Sequence, residues 1–425
     1  MIQLLILADD FTGGLDTGVQ FAEKGIRTRV VTNPEADFEQ SAQGAQVLVV
    51  VAETRHLSRD QAYRVVHSVV EKAAALHIPH IYKKTDSAMR GNIGAEITAA
   101  LDASGAATLY FLPAMPGLNR VTKNGIHYVD GVPVAESVFG RDPFEPVSKS
   151  SVAELISLQS DVPVSLARPG GIPQEKGVVV VDAETNRDLL QAGQTLKERN
   201  GLRLLAGCAG FAGVLPELLG LHTQASRPVQ PLLTGGMFVL CGSVNPITQQ
   251  QLHYAENHGF TRWHISPKEK LTPGYFDTAD GENTLAAWQR RCRKEPWMIL
   301  DANDWQDDNA ESNAFAAQRG MTIQDMRESI SGALGRILPA LLDDIGDKTL
   351  LITGGDTLLQ CMNHMRVWDM EPLREVFPGV VLSRFQAKGT ERYVITKSGG
   401  FGEPTLLCDL KKMIEEQDSD NGATA

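Results

Sequence analysis

The chain has 425 residues, 42% hydrophobic and 22% charged, which fits a soluble globular protein too long for one ordinary core, so two domains are expected. A formal net charge of −12 argues against nucleic acid or an anionic membrane as the main partner. Cys208, Cys241, Cys292, Cys361 and Cys408 are far apart and odd in number, which predicts reduced thiols and a cytoplasmic location; the short first apolar run lacks a basic leader, so no signal peptide or membrane span is expected.

Leu4 to Ala8 has the length and composition of a fully buried strand. It stops at Asp9-Asp10, followed by Phe11-Thr12-Gly13-Gly14 and a helix-like stretch. In open α/β sheets ligands bind at the carboxyl ends of strands. A lone Asp there reads as a helix N-cap. Two adjacent carboxylates need a cation or hydroxyl to meet them, so this tip reads as half of a polar small-molecule site.

The rhythm of apolar run and helix-like stretch continues. Val47–Val51 precedes Ala52 to Arg55, and Ile78–Tyr82 precedes Lys83-Lys84-Thr85-Asp86. Thr108–Leu112, Val178–Val181 and Leu202–Leu205 follow, with amphipathic segments such as Gln61–Leu76 and Glu154–Leu158 between them. Strands alternating with helices predict a parallel sheet. The block Lys83 to Asn92 is the second informative tip, because solvated charge runs normally lie on helix faces. Lys83, Lys84 and Arg90 could receive a carboxylate or phosphoryl group, and Asp86 could hold a lysine or accept a hydroxyl proton. Arg55 is a further anion-binding candidate.

Ser226–Pro231 reads as a domain junction, because its two prolines cannot continue a helix or a central strand. The predicted domains are 1–228 and 229–425. After the junction Met237–Cys241 meets Gly242-Ser243 and a helix over Ile247–Asn257; Thr349–Ile352 meets Gly354-Gly355-Asp356; Tyr393–Thr396 meets Lys397-Ser398-Gly399-Gly400-Phe401-Gly402. Glycine-rich strand tips let backbone N–H groups form concave anion sites, and polyphosphate is the obvious guest. Ser243 adds a hydroxyl, and Asp356 could cap a helix or hold a metal-bound water. The segment Asp301–Arg319 reads as a polar surface excursion and Glu415–Ala425 as a frayed tail. No dinucleotide fingerprint, P-loop, H-E-x-x-H or G-x-S-x-G elbow is present.

These motifs together resemble the four-carbon acid sugar kinase family: Ala8-Asp9-Asp10-Phe11-Thr12-Gly13, Lys83 to Ser87 with Arg90-Gly91-Asn92, Cys241-Gly242-Ser243, Thr353 to Asp356 and Ser398 to Gly402. The resemblance runs in order over nearly the whole length; Gly14 stands where the family often has alanine. It implies an α/β chain of two domains, each with a mainly parallel sheet flanked by helices and with the active site in the interdomain cleft. The amino-terminal domain would bind the sugar acid and the carboxyl-terminal one ATP. Acid contacts would come from Asp9, Arg55, Lys83, Lys84, Thr85, Asp86 and Arg90. ATP contacts would come from Ser243, Gly354, Gly355, Asp356, Gly399, Gly400, Phe401 and Gly402. The reaction would phosphorylate a terminal hydroxyl with Mg²⁺ present, through protein ligands the sequence does not name. Asp9 is the first choice of base and Asp86 its rival. The motifs do not decide among threonate, erythronate and 3-keto relatives, and they leave a homodimer open. Two rivals stand beside this reading. One is a nicotinamide-dependent enzyme on a sugar acid, which the absent fingerprint disfavours. The other is a non-catalytic sugar-acid regulator, which the absent basic helix-turn-helix disfavours.

Overall fold

A computed structural model describes residues 1–142, 145–221, 231, 233–306 and 308–424, with side chains up to Ser419. The backbone divides into two compact units, Met1–Pro228 and Val229–Ala425. The expected junction Ser226–Pro231 lies, apart from Pro231, outside the described residues.

In the first unit the strands are β1 Leu4–Ala8, β2 Thr28–Val31, β3 Val47–Val51, β4 His80–Lys84, β5 Thr108–Leu112, β6 Arg120–Lys123, β7 Ile126–Val129, β8 Val132–Pro133, β9 Val164–Ala167, β10 Gly177–Val181 and β11 Leu204–Gly207. Eight of them form a parallel sheet in the order β2-β3-β1-β4-β11-β5-β10-β9. β1, β3 and β10 are buried at every residue, because helices cover both faces of a parallel sheet. That is why they read as unbroken apolar runs. The register aligns Ala8 with Val51 on one side and Lys84 on the other, so Asp9, Thr54-Arg55 and Thr85-Asp86 leave the sheet at one edge.

Two strands differ from expectation. β4 runs two residues later than Ile78–Tyr82, so Lys83 and Lys84 are its last ladder residues and not the loop after it. β11 likewise ends at Gly207. The antiparallel meander β6-β7-β8 carries turns at Asn124-Gly125 (φ 50° and 74°) and Asp130-Gly131 (φ 51° and 79°). Both dipeptides are hairpin signals, since φ > 0 at two successive positions is what a type I′ turn requires.

The second unit holds β12 Thr234–Cys241, β13 Thr261–His264, β14 Trp297–Asp301, β15 Lys348–Thr353, β16 Asp369–Phe377, β17 Val380–Ala387 and β18 Thr390–Lys397. Their order is β13-β14-β12-β15-β18-β17-β16. The first five are parallel and β17 runs antiparallel to both its neighbours, so the sheet is mainly but not wholly parallel. Asp301–Arg319 is not a surface excursion throughout. Asp301 ends β14 and is buried, as are Asn303 and Asp304, and a helix spans Ala310–Ala317. The helix Leu406–Thr424 runs into the tail where fraying was expected from Glu415: its start is anchored by Leu406, Leu407, Leu410 and Ile414 in the unit's core, and Gln417 and Asp418 accept from Leu233 N at 2.8 Å and Gly235 N at 3.2 Å. No helix among the described residues is long and apolar enough to cross a membrane, and all five cysteines are buried thiols.

Candidate functional site

At the carboxyl edge of the first sheet, β1 delivers Asp9 and Asp10 to different tasks. Asp10 caps the helix Phe11–Ala22, accepting from Gly13 N at 3.0 Å and from Thr12 Oγ1 at 2.8 Å. Asp9 is buried and takes Arg55 Nε at 2.8 Å and Nη2 at 2.7 Å, both on Oδ2. Its Oδ1 is buried without a hydrogen-bond partner. Arg55 also reaches Asp10 Oδ1 at 2.8 Å and Asp86 Oδ1 at 3.5 Å, so one guanidinium gathers three carboxylates. Asp86 is in turn forked by Arg90 through two bonds of 3.0 Å. Asn92 ties the Arg55 loop down by donating to Thr54 O and Leu57 O, each at 2.9 Å.

Both lysines of β4 are buried but face different partners. Lys83 Nζ lies 2.8 Å from Glu96 Oε2 on the helix Ile93–Ser104. Lys84 Nζ donates to Thr85 O at 2.8 Å, with no carboxylate in ion-pair reach among the described residues. A Cβ on Gly13 would lie 2.8 Å from Lys84 Nζ, which places the ammonium over the Asp9-Asp10 turn. Thr85 is buried and its Oγ1 is also unpartnered.

The charges set the protonation states. Burial alone would raise the Asp9 pKa, but Arg55, Lys84 and Lys83 outweigh it and the net shift is downward. For Asp86 burial is again opposed, by Arg90 and Arg55, and the carboxyl sits well below its usual range. Glu96 goes the other way: burial raises it further than Lys83 lowers it. The edge therefore presents ionised Asp9 and Asp86, balanced by cations.

In the second unit three glycine-bearing tips converge. A Cβ on Gly354 (φ 107°) would lie 3.6 Å from Ser243 N, and one on Gly399 would lie 2.5 Å from Ser243 Oγ. Ser243 Oγ is 3.3 Å from Thr248 Oγ1, which donates to Gly399 O at 2.9 Å. The helix Gly355–Met365 starts here without a side-chain cap, leaving its first N–H groups available to an anion. Ser243, Gly354, Gly355 and Gly399 are thus brought together, with half-buried Gly400 in the same turn. Three expected residues have partners within the protein. Asp356 is forked by Arg327 at 2.5 Å and 3.1 Å. The carbonyls of Phe401 and Gly402 accept from the buried Gln251 amide at 3.0 Å each. No group of three or more His, Cys, Asp or Glu side chains among the described residues is arranged to hold a metal ion.

Sequence reasoning missed several residues of both edges. Arg120 on β6 is buried, bonds Ser87 Oγ and stacks its guanidinium 5.2 Å from the Phe139 ring, which Arg90 also covers. His127 on β7 bonds Ser87 O at 3.0 Å and Thr122 Oγ1 at 3.0 Å. In the second unit Asn303 donates to Ser243 O at 3.0 Å and to Asp301 Oδ1 at 2.8 Å, while Arg262 clamps Asp301 Oδ2 at 2.6 Å. The Asn-Gly turn could have revealed the meander that carries Arg120 and His127. Nothing local marks Asn303.

Residues 4–215 match a family model described as a sugar-binding N-terminal domain, and residues 238–407 one described as a nucleotide-binding C-terminal domain. A D-threonate kinase of Salmonella typhimurium is 31% identical over 433 residues, covering 98% of this chain and 99% of that protein. The chain belongs to the four-carbon acid sugar kinase family. As a four-carbon acid sugar kinase with a nucleotide-binding domain it is an ATP-using phosphotransferase with an alcohol acceptor. Two further relatives are less similar. A D-erythronate kinase of Heliobacterium modesticaldum is 26% identical (96% of each chain), and a 3-oxo-tetronate kinase of Methylobacterium radiotolerans is 26% identical (93% of this chain, 95% of that one). A solved structure from Salmonella typhimurium LT2, described as a tRNA synthase, matches with TM-score 0.76 at 19% identity, covering 97% of this chain and 100% of that one; it speaks for the fold alone.

Proposed function

We propose that the chain transfers the γ-phosphoryl group of ATP to the terminal (4-) hydroxyl of D-threonate, giving 4-phospho-D-threonate. The observation that carries this reading is the buried, unpartnered Oδ1 of ionised Asp9 beside Lys84, whose ammonium has no carboxylate in ion-pair reach among the described residues. A buried acceptor without a donor is costly, and a substrate hydroxyl relieves it. Asp9 orients that hydroxyl and takes its proton. Its low pKa suits a transition state in which bond-making to the acceptor is slight and the proton leaves late. Asp86 is the weaker base, because Arg90 forks both of its oxygens. Lys84, with Thr85 beside it, receives the acid's carboxylate. Arg55 and Lys83 keep Asp9 and Glu96 in place rather than meeting the substrate as free cations.

The converging tips at Ser243, Gly354-Gly355 and Gly399 suit the phosphates of ATP. Mg²⁺ would be held mainly by phosphate oxygens and water, the usual arrangement for an ion that dehydrates reluctantly, and it would neutralise charge on the phosphates. The named relatives support threonate first, with erythronate and 3-oxo-tetronate as the alternatives. A coupled assay for ADP release over the stereoisomers of these acids tests the proposal. ATP turnover highest with D-threonate is expected. No ADP release with any four-carbon acid would refute it.

A further inference from the structure

Lys397 is the last residue of β18 and is 1% exposed. Its side chain and backbone meet all three glycine tips. Nζ donates to Ser398 O at 3.0 Å and Gly399 O at 3.2 Å within the third tip. It also donates to Thr248 Oγ1 at 3.1 Å, and Thr248 contacts Ser243 Oγ of the first tip. Its own carbonyl accepts from Gly354 N at 3.4 Å, in the second tip. No carboxylate among the described residues lies in ion-pair reach of this ammonium.

We propose that Lys397 is the positioning residue of the nucleotide cradle, an internal cation that holds the loop carbonyls inward and supplies positive charge for the nucleotide's phosphates. This rests on the nucleotide reading of the second unit and deepens it. The logic is geometric. Carbonyl oxygens drawn to one buried point leave the N–H groups of the same turn free to face outward, which is how a backbone anion site forms. A buried ammonium without a counter-ion is costly in the free protein, and an arriving phosphate offsets that cost. Burial lowers the Lys397 pKa from 10.5 to about 7, and the titratable group facing it is the Cys241 thiol of β12, itself pushed well up by burial and so neutral. Thr248 and Ser243 present only hydroxyls. Phosphate binding favours the charged form, so the nucleotide draws a proton onto Lys397.

The test is calorimetric titration of the full chain with ADP in buffers of different ionisation enthalpy. At pH about 8 the second phosphate ionisation (pKa ~6) is complete, so any proton uptake belongs to the protein. The parent is expected to take up close to about one proton per ADP bound. Lys397→Met should lose that uptake and bind ADP about tenfold or more weakly, the scale of a lost charge-assisted contact, while KM for the sugar acid holds. Thr248→Val keeps the lysine, so it should weaken ADP binding yet retain uptake. A parent that binds ADP without taking up a proton, or a Lys397→Met chain with ADP affinity within about twofold of the parent, overturns the proposal. A parent that does not bind ADP at all overturns the nucleotide reading instead.

Discussion

Arg55 holds Asp9 by one oxygen only. Nε and Nη2 both land on Oδ2, at 2.8 and 2.7 Å, and Oδ1 is left buried and unpaired. A guanidinium usually spans both carboxylate oxygens. Here Nη2 is shared between Asp9 Oδ2 and Asp10 Oδ1, and the spare oxygen of Asp9 is left for a ligand. Asp9→Asn should therefore lower kcat about 10²- to 10⁴-fold, the range for losing a positioned acid–base group. ATP affinity should not change. Steady-state kinetics with a parallel ADP titration check both, and an unaltered kcat would remove Asp9 from the chemistry.

Removing the organising cation has a wider effect. Arg55→Ala leaves Asp9, Asp10 and Asp86 facing one another without their shared partner. Breaking a buried ion pair from one side typically costs about 3–5 kcal/mol, so a clear loss of stability is expected in the first unit. KM for the acid should rise far more than KM for ATP. Lysine cannot reproduce the fork, so Arg55→Lys should recover little. Chemical denaturation and paired KM values decide this; a change confined to ATP would place Arg55 outside the acid site.

Gly13 offers a gentler probe. Near the start of a helix, alanine is ordinarily preferred to glycine by up to about 1 kcal/mol. At this position a Cβ would lie 2.4 Å from Asp10 Oδ1 and 2.8 Å from Lys84 Nζ. Gly13→Ala should thus raise KM for the acid several-fold without improving stability, and leave ADP binding intact. Thermal unfolding with acid and ADP titrations would show it; a stabilised variant with parental kinetics would mean that Lys84 does not sit over this turn.

How much was legible follows the burial pattern. β1 and β3 could be bounded to the residue, because strands covered on both faces show as pure apolar runs with abrupt ends. β4 could not, because Lys83 and Lys84 look like loop residues until Glu96 is seen to receive one of them. Asp9, Arg55, Asp86 and Arg90 do meet, as their placement at adjacent strand ends suggested. Lys397 stood in plain sight beside a glycine tip, yet its role depends on Thr248, 149 residues away. The ion pair of Asp356 was hidden for a similar reason: its partner Arg327 lies on another helix, 29 residues upstream. Local pattern reports which strand ends are polar, and only the fold reports which polar groups are already satisfied.

His127 links the fold's stability to pH. Burial holds it neutral and lowers its pKa from 6.5 to about 4, although its bond to Ser87 O favours the charged form. The unfolded chain takes up a proton near pH 6.5, whereas the folded one resists until about pH 4. Across that window the unfolded state binds more protons, so stability falls as pH falls. A gap of this size corresponds to about 3 kcal/mol at full extent. The depressed Asp9 and Asp86 act lower, near and below the ordinary carboxylate range, and their contribution is lost only as pH falls through their folded values. The two effects therefore separate. His127→Gln, which can still donate towards Ser87 O, should flatten stability between about pH 6.5 and 4 while leaving the steeper acid limb in place. Urea unfolding of both proteins at closely spaced pH values measures it. Parallel curves for parent and variant through that window would show that His127 is not the group that titrates.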